Sequence, residues 1–179
     1  MSHFTLRPTP DAVLRRARLS TEVEQAGSFA SPPAGAHELW RAAEFEGSFA
    51  RARDGLFRWD VQRGAGLKVL ADGPVRVGGT VVVGLHLGPV WALAPSRVIA
   101  VVDDDEAAGF TYATLPGHPE LGVEEFMLTR VGDRVRFELH AVSTQATVPA
   151  RLAPPVARWV QSVVTDRYLR AAADIAAGR

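Results

Sequence analysis

Hydrophobic positions along the chain change their period three times, and each change marks a new kind of element. Residues 11 to 19 carry a short helical pattern with Asp11 placed to cap it behind Pro10. Small residues and prolines from Ala26 to Gly35 read as an arm laid on a surface. His37 to Glu46 alternates loosely and predicts a first strand. Ser48 then caps a helix whose apolar side is Phe49, Ala52, Leu56 and Trp59, at spacings of three and four. Gly55 inside it leaves two outcomes open, one helix ending near Arg63 or a break into two short ones.

From Leu67 the period becomes that of strands. The runs are 67–71, 80–87, 91–102, 109–115, 123–130 and 134–142, separated by Gly88-Pro89, Asp103 to Asp105, Pro116 to Pro119 and Gly132-Asp133. Connections this short dictate antiparallel hairpins. Pro149 to Gly178 predicts a long amphipathic helix with its prolines in the first turns and an apolar stripe of Val156, Val160, Val164, Tyr168, Ala171 and Ile175. The stripe needs a sheet to cover. The expected fold is therefore α+β of the helix-grip kind. A curved antiparallel sheet of about seven strands wraps around the C-terminal helix, with short helices after the first strand and the other sheet face free to be wet. Residues 1–32 form the short helix and arm, and 33–179 the helix-grip domain.

Composition narrows the chemistry. A chain of 179 residues with 47% hydrophobic and 22% charged positions buries enough surface for one core, and with no cysteine it does so without disulfides, thiol nucleophiles or Cys-ligated zinc. Twenty basic against twenty acidic residues leave no net field for nucleic acid or anionic lipid, so neither is expected as a partner. Lys68 is the single lysine among those twenty, a usage that fits a GC-rich bacterial genome. No signal-peptide pattern and no apolar run of membrane length is readable, which predicts a cytoplasmic protein without a membrane span. His118-Pro119-Glu120 lacks the downstream cysteines of a zinc deaminase, and His37-Glu38 is followed by Arg41 where a zincin needs its second histidine. Gly73 to Thr80 lacks the Gly-Lys-Ser/Thr ending of a phosphate loop, and no nucleophile elbow occurs. Neither a metal nor another cofactor is expected, and nothing in the chain sets an oligomeric state.

The segment from Ala113 to Phe126 resembles a known hallmark, the Gly-Thr-Leu-x-Gly-His-Pro-Glu-x-Gly-Glu-Glu-x-Phe hairpin of the uncharacterised protein family 0548. The resemblance continues through residues 87–98, 101–103, 155–158 and 167–170, and spans roughly 33–172. Ala113 stands where the family usually has glycine and Val123 where it has its first glutamate, so no role of that carboxylate carries over. The resemblance brings no established activity with it. It implies a fold similar to the START-like, Bet v 1-like (SRPBCC) superfamily, whose members mostly enclose a hydrophobic ligand between sheet and helix.

Strand alternation selects candidate site residues. Glu124 shares a face with Phe126 and Leu128, so an inward strand carries its carboxylate inside, where it must be paired, hydrogen-bonded or neutralised. Tyr112, on the preceding strand, points a hydroxyl to the same region, and Arg97 is a candidate partner that would make Glu124→Gln destabilising. His118 and Glu120 sit in the hairpin between prolines, where turn-fixing hydrogen bonds compete with a ligand role. Trp59 and Trp91 are wall candidates as well as core candidates, and Ala113 is a wall position if it faces inward. Three functions follow. The first is binding of a small hydrophobic molecule, uncharged or weakly anionic, under the C-terminal helix. The second is acid-base catalysis of cyclase, dehydratase or hydrolase type by Glu124 and Tyr112. The third is a protein-interaction module with a filled core.

Overall fold

The computed structural model describes residues 4–5, 14, 17, 29, 32, 35–88, 90–145 and 154–179. Along them run β1 (Phe4–Thr5), β2 (His37–Glu46), α1 (Phe49–Phe57), α2 (Asp60–Gly64) and β3 (Lys68–Ala71). There follow β4 (Thr80–Leu87), β5 (Val90–Asp103), β6 (Ala107–Thr114), β7 (Glu120–Val131), β8 (Arg134–Gln145) and α3 (Pro154–Ala177). Seven strands lie antiparallel in the order β2-β8-β7-β6-β5-β4-β3, and β1 pairs with β5 off that path. The hairpins predicted from the short connections make the meander from β3 to β8. β2 returns to the end of it, pairing His37 with Ser143 through Glu46 with Arg134. The pairing of β5 with β6 slips between Val98 and Ala100, a bulge that bends the sheet and leaves Ile99 exposed.

Ser48 caps α1 as expected, its side chain accepting the Arg51 N–H at 3.3 Å. The helix then breaks, but at Trp59 rather than at Gly55. Trp59 takes the left-handed conformation at φ 66, and its indole N–H donates to the Gly73 carbonyl at 3.0 Å. Gly55 serves packing instead, because a Cβ there would stand 2.7 Å from Cγ2 of Ile175 on α3.

α3 is seated on the concave face by its C-terminal half. Tyr168, Ala171, Ala172 and Ala176 are buried against Phe126 and its neighbours, with the Tyr168 ring edge-on to Phe126 at 5.3 Å. The Ala176 carbonyl, one of the orphan acceptors of the last turn, takes the Ser48 N–H at 3.0 Å and both Nε and Nη2 of Arg51 at 3.1 and 2.9 Å. Toward the other end the helix lies less closely on the core: Val160 and Val164 are half-buried, and Trp159 is 67% exposed. Residues 149–153 of the predicted helix fall outside the described residues, as does the Val156 side chain.

The outer face of the sheet, expected to be wet, is covered at two places. Leu14 packs on Val82 and Leu93, and Phe29 with Ala36 packs on Ala113, Val123 and Val142. The cause is readable in β4, where Val81 and Val83 face the core while Val82 between them is equally apolar. Of the helix expected over 11–19 only Leu14 and Ala17 are described, and both are helical.

The seat of α3 makes a direct prediction at Gly47, whose φ is 144 and where a Cβ would meet the Ala176 backbone at 2.7 Å. Gly47→Ala should lower stability by about 3–4 kcal/mol, since backbone cannot swing aside. Gly66→Ala, also at positive φ but with nothing within 4 Å, should cost only about 1–2 kcal/mol. Equal shifts in urea midpoint would mean that Gly47 is not a contact point of the helix.

Candidate functional site

The register of β6 and β7 sets Phe110 opposite Phe126 and Tyr112 opposite Glu124. Phe110, Phe126 and Leu128 are fully buried in the concave core, so the pleat carries Tyr112 and Glu124 inward with them. The Phe110 ring stacks on Phe126 at a centroid distance of 5.0 Å, and the Tyr112 ring lies tilted against it at 5.7 Å. The Tyr112 hydroxyl donates to Oε2 of Glu124. Glu120, two pleats earlier on the same face, accepts the Ser143 hydroxyl at 2.9 Å. Glu124 is half-buried, on the strand face that carries the fully buried Phe126 and Leu128.

That enclosure sets the electrostatics. Burial lifts the Glu124 carboxyl to about 7, opposed by the Tyr112 hydrogen bond and assisted by the Glu120 charge. Glu120 is raised as well, again mainly by burial, with the Ser143 bond pulling the other way. The hydroxyls of Tyr112 and Tyr168 are pushed well above the ordinary tyrosine value by burial first and the Glu124 charge second. Among the described residues no lysine or arginine forms an ion pair with either carboxyl.

The structure brings together Glu124, Tyr112 and Glu120 and separates the rest. Arg97 stands opposite Ala113 in the pairing of β5 with β6, on the outer face, where its guanidinium donates to the Ala17 carbonyl at 3.0 Å. It is therefore not the partner of Glu124. Trp91 also faces outward, beside His86 at 4.7 Å and the Leu14 cluster. Ala113 lies under Phe29 on that same face and is no cavity wall. Trp59 is inside, but packed edge-on to Phe110 at 5.1 Å and 2% exposed, so it serves the core. His118 accepts the Glu120 N–H on Nδ1 at 3.0 Å, the turn-fixing bond expected of it. Thr114 holds the same hairpin by accepting the Gly122 N–H at 3.1 Å.

Sequence reasoning missed Ser143 and His37, and it read Tyr168 only as a stripe residue. Ser143 and His37 are register partners at the end of β8 and β2, and the buried Nδ1 of His37 has no partner among the described residues. Tyr168 is 4% exposed, and its hydroxyl makes no hydrogen bond among the described residues. Only the strand register and the helix seat, both long-range properties, place these three on the concave side with Glu124.

The family described as Domain of unknown function (DUF1990) matches residues 21–171. A curated relative, a UPF0548 protein of Deinococcus radiodurans, is 36% identical over 104 residues, covering 53% of this chain. The chain matches 52% of that relative's length, about half of it. Among solved structures, a hypothetical protein from Helicobacter pylori superimposes with a TM-score of 0.63 at 10% identity, over 78% of this chain and 88% of that one. The di-domain ARO/CYC StfQ from the steffimycin biosynthetic pathway gives 0.61 at 12% identity, over 79% and 50%. Major latex-like protein 151 from Panax ginseng gives 0.52 at 13%, over 75% and 97%. Identities this low show the shared fold, a Bet v 1-like helix grip, and nothing of the chemistry.

With Arg97 on the other face, the expected sign of Glu124→Gln reverses. A carboxyl whose folded value is raised to about 7 from 4.5 stabilises the fold only while it is protonated in both states, and this contribution is lost as pH rises through that window. Glu124→Gln should match wild type in urea midpoint near pH 4.5 and exceed it by about 3 kcal/mol at pH 8. A difference independent of pH would place the carboxyl in contact with water.

Proposed function

This chain belongs to the DUF1990 family, and on that premise we propose that it binds a small, mainly apolar molecule between the concave face of the sheet and the N-terminal half of α3. The observation that supports the reading is the Glu124–Tyr112 hydrogen bond within the concave core, on the side where the Tyr168 hydroxyl has no hydrogen-bond partner among the described residues. A polar group buried without need of it costs stability, and two enclosed carboxyls are a large cost. Retaining them makes physical sense where a guest completes their hydrogen bonds. Apolar walls with a few convergent polar groups are the usual make-up of such sites. The grip of α3 by its last two turns leaves its earlier turns as the cover of the site. No helix among the described residues is long and apolar enough to cross a membrane, and we read the protein as acting in the cytoplasm.

A second reading, acid-base catalysis by Glu124 with Tyr112, is favoured by one observation: a carboxyl near 7 is matched to proton transfer at neutral pH. It needs the same site occupied, so binding is the first thing to measure.

N-phenyl-1-naphthylamine, an uncharged apolar fluorophore, should bind saturably with enhanced emission and raise the melting temperature by mass action. Val160→Trp, which enlarges a half-buried position about two turns before Tyr168, should weaken that binding at least about tenfold with the melting temperature of the free protein retained. Absence of any saturable binding would turn the reading toward an interaction module with a filled core.

A further inference from the structure

Every polar side chain gathered at the inner end of this site can accept a hydrogen bond, and two of them are carboxyls. Glu120 and Glu124 lie on one face of β7 with Gly122 between them, so no side chain separates the pair. Among the described residues each takes one hydrogen bond from a neutral hydroxyl, Ser143 for one and Tyr112 for the other. A carboxylate offers about four acceptor positions, so most of the capacity is unused. The Tyr168 hydroxyl adds an independent sign of a missing group. It is buried to 4% exposure, lies against Phe126 on the same face as Glu124, and has no hydrogen-bond partner among the described residues. Its rise in pKa traces partly to the Glu124 charge, which places the two within electrostatic reach. A divalent metal is a poor fit, because among the described residues no three carboxylate or histidine groups converge.

We propose that this end of the site selects a guest carrying a protonated amine, an apolar ammonium or amidinium compound, over an alcohol and against a carboxylate with the same apolar body. The inference rests on the binding reading above and names the class of ligand for that same site. An ammonium brings up to three donors and the opposite charge to a group of acceptors, and charge-assisted bonds are about twice as strong as neutral ones. A carboxylate guest would add a third negative group to two enclosed ones that no described lysine or arginine pairs with, so the proposal departs from the expectation of a weakly anionic ligand.

The test is displacement of N-phenyl-1-naphthylamine at pH 8 by decylammonium, decanol and decanoate, each below its micelle concentration. The expected order is decylammonium at least about tenfold tighter than decanol, and decanoate weakest. Glu124→Gln and Glu120→Gln, which keep shape and remove charge, should each shrink the ratio of amine to alcohol affinity severalfold. Because the readout is a ratio within one variant, a general loss of affinity does not imitate the result, and the three-way comparison in wild type stands without any variant. Decanoate binding as well as decylammonium, or a ratio unchanged in both variants, overturns the inference while leaving an apolar binder. Failure of the fluorophore to bind at all overturns both.

Discussion

The arrangement depends on how closely one end of α3 approaches the two short helices. Gly47, Gly55 and Gly64 each stand where a Cβ would come within 3.0 Å of Ala176, Ile175 or Ala171, so helix and hairpin of helices touch at van der Waals distance. Ser48 and Arg51 then hold the Ala176 carbonyl, tying the last turn where packing has already put it. With that end fixed, the direction of the helix over the sheet is fixed too. Its earlier turns pass above the end of the sheet that carries the β6–β7 hairpin, and there the fit is looser.

Placement of the acidic pair follows from the same geometry. The aromatic layer of Phe110, Phe126, Phe137 and Tyr168 fills the space under the seated half of the helix. Beyond it the concave face changes character to Tyr112, Glu124, Ser143 and Glu120, without a described arginine or lysine to neutralise it. The core is therefore divided along the strand axis into a region that is packed and one that is polar and enclosed. Stability resides mainly in the first. The second holds the groups whose ionisation is coupled to each other and to the fold.

Much of this was legible in the sequence, and what was not has a physical cause. Strand positions, the capped helix and the long terminal helix came from local periodicity and turn chemistry, which depend only on neighbouring residues. Glu124 could be placed inside because Phe126 and Leu128 share its parity. Tyr112 could be placed beside it because the Pro116 to Pro119 turn brings the flanking strands together. Arg97 could not be assigned from parity alone, since the bulge at Ile99 shifts the register: Val98 and Val101, three apart, both meet the core. Gly55 reads as a possible break, yet it is a contact point like Gly47 and Gly64, because a glycine chosen for close approach looks the same in sequence as one chosen for a turn. His37, Ser143 and Tyr168 come from the two ends of the domain, and only tertiary structure brings them to the concave side with Glu124.

The pairing of β2 with β8 also bears on how the chain acquires its fold. The first long strand to be made binds the last, closing a loop of roughly a hundred residues, whereas the strands between them form from neighbours in sequence. On the ribosome β2 therefore waits, with Leu39 and Phe45 uncovered, until residues 134–145 have emerged, and the concave face waits longer still for α3. The meander is free to form early and reversibly. Closure of the domain requires β2 to pair with β8 and α3 to take its seat, and until both are made the apolar inner face is the surface that a chaperone or a second nascent chain would encounter.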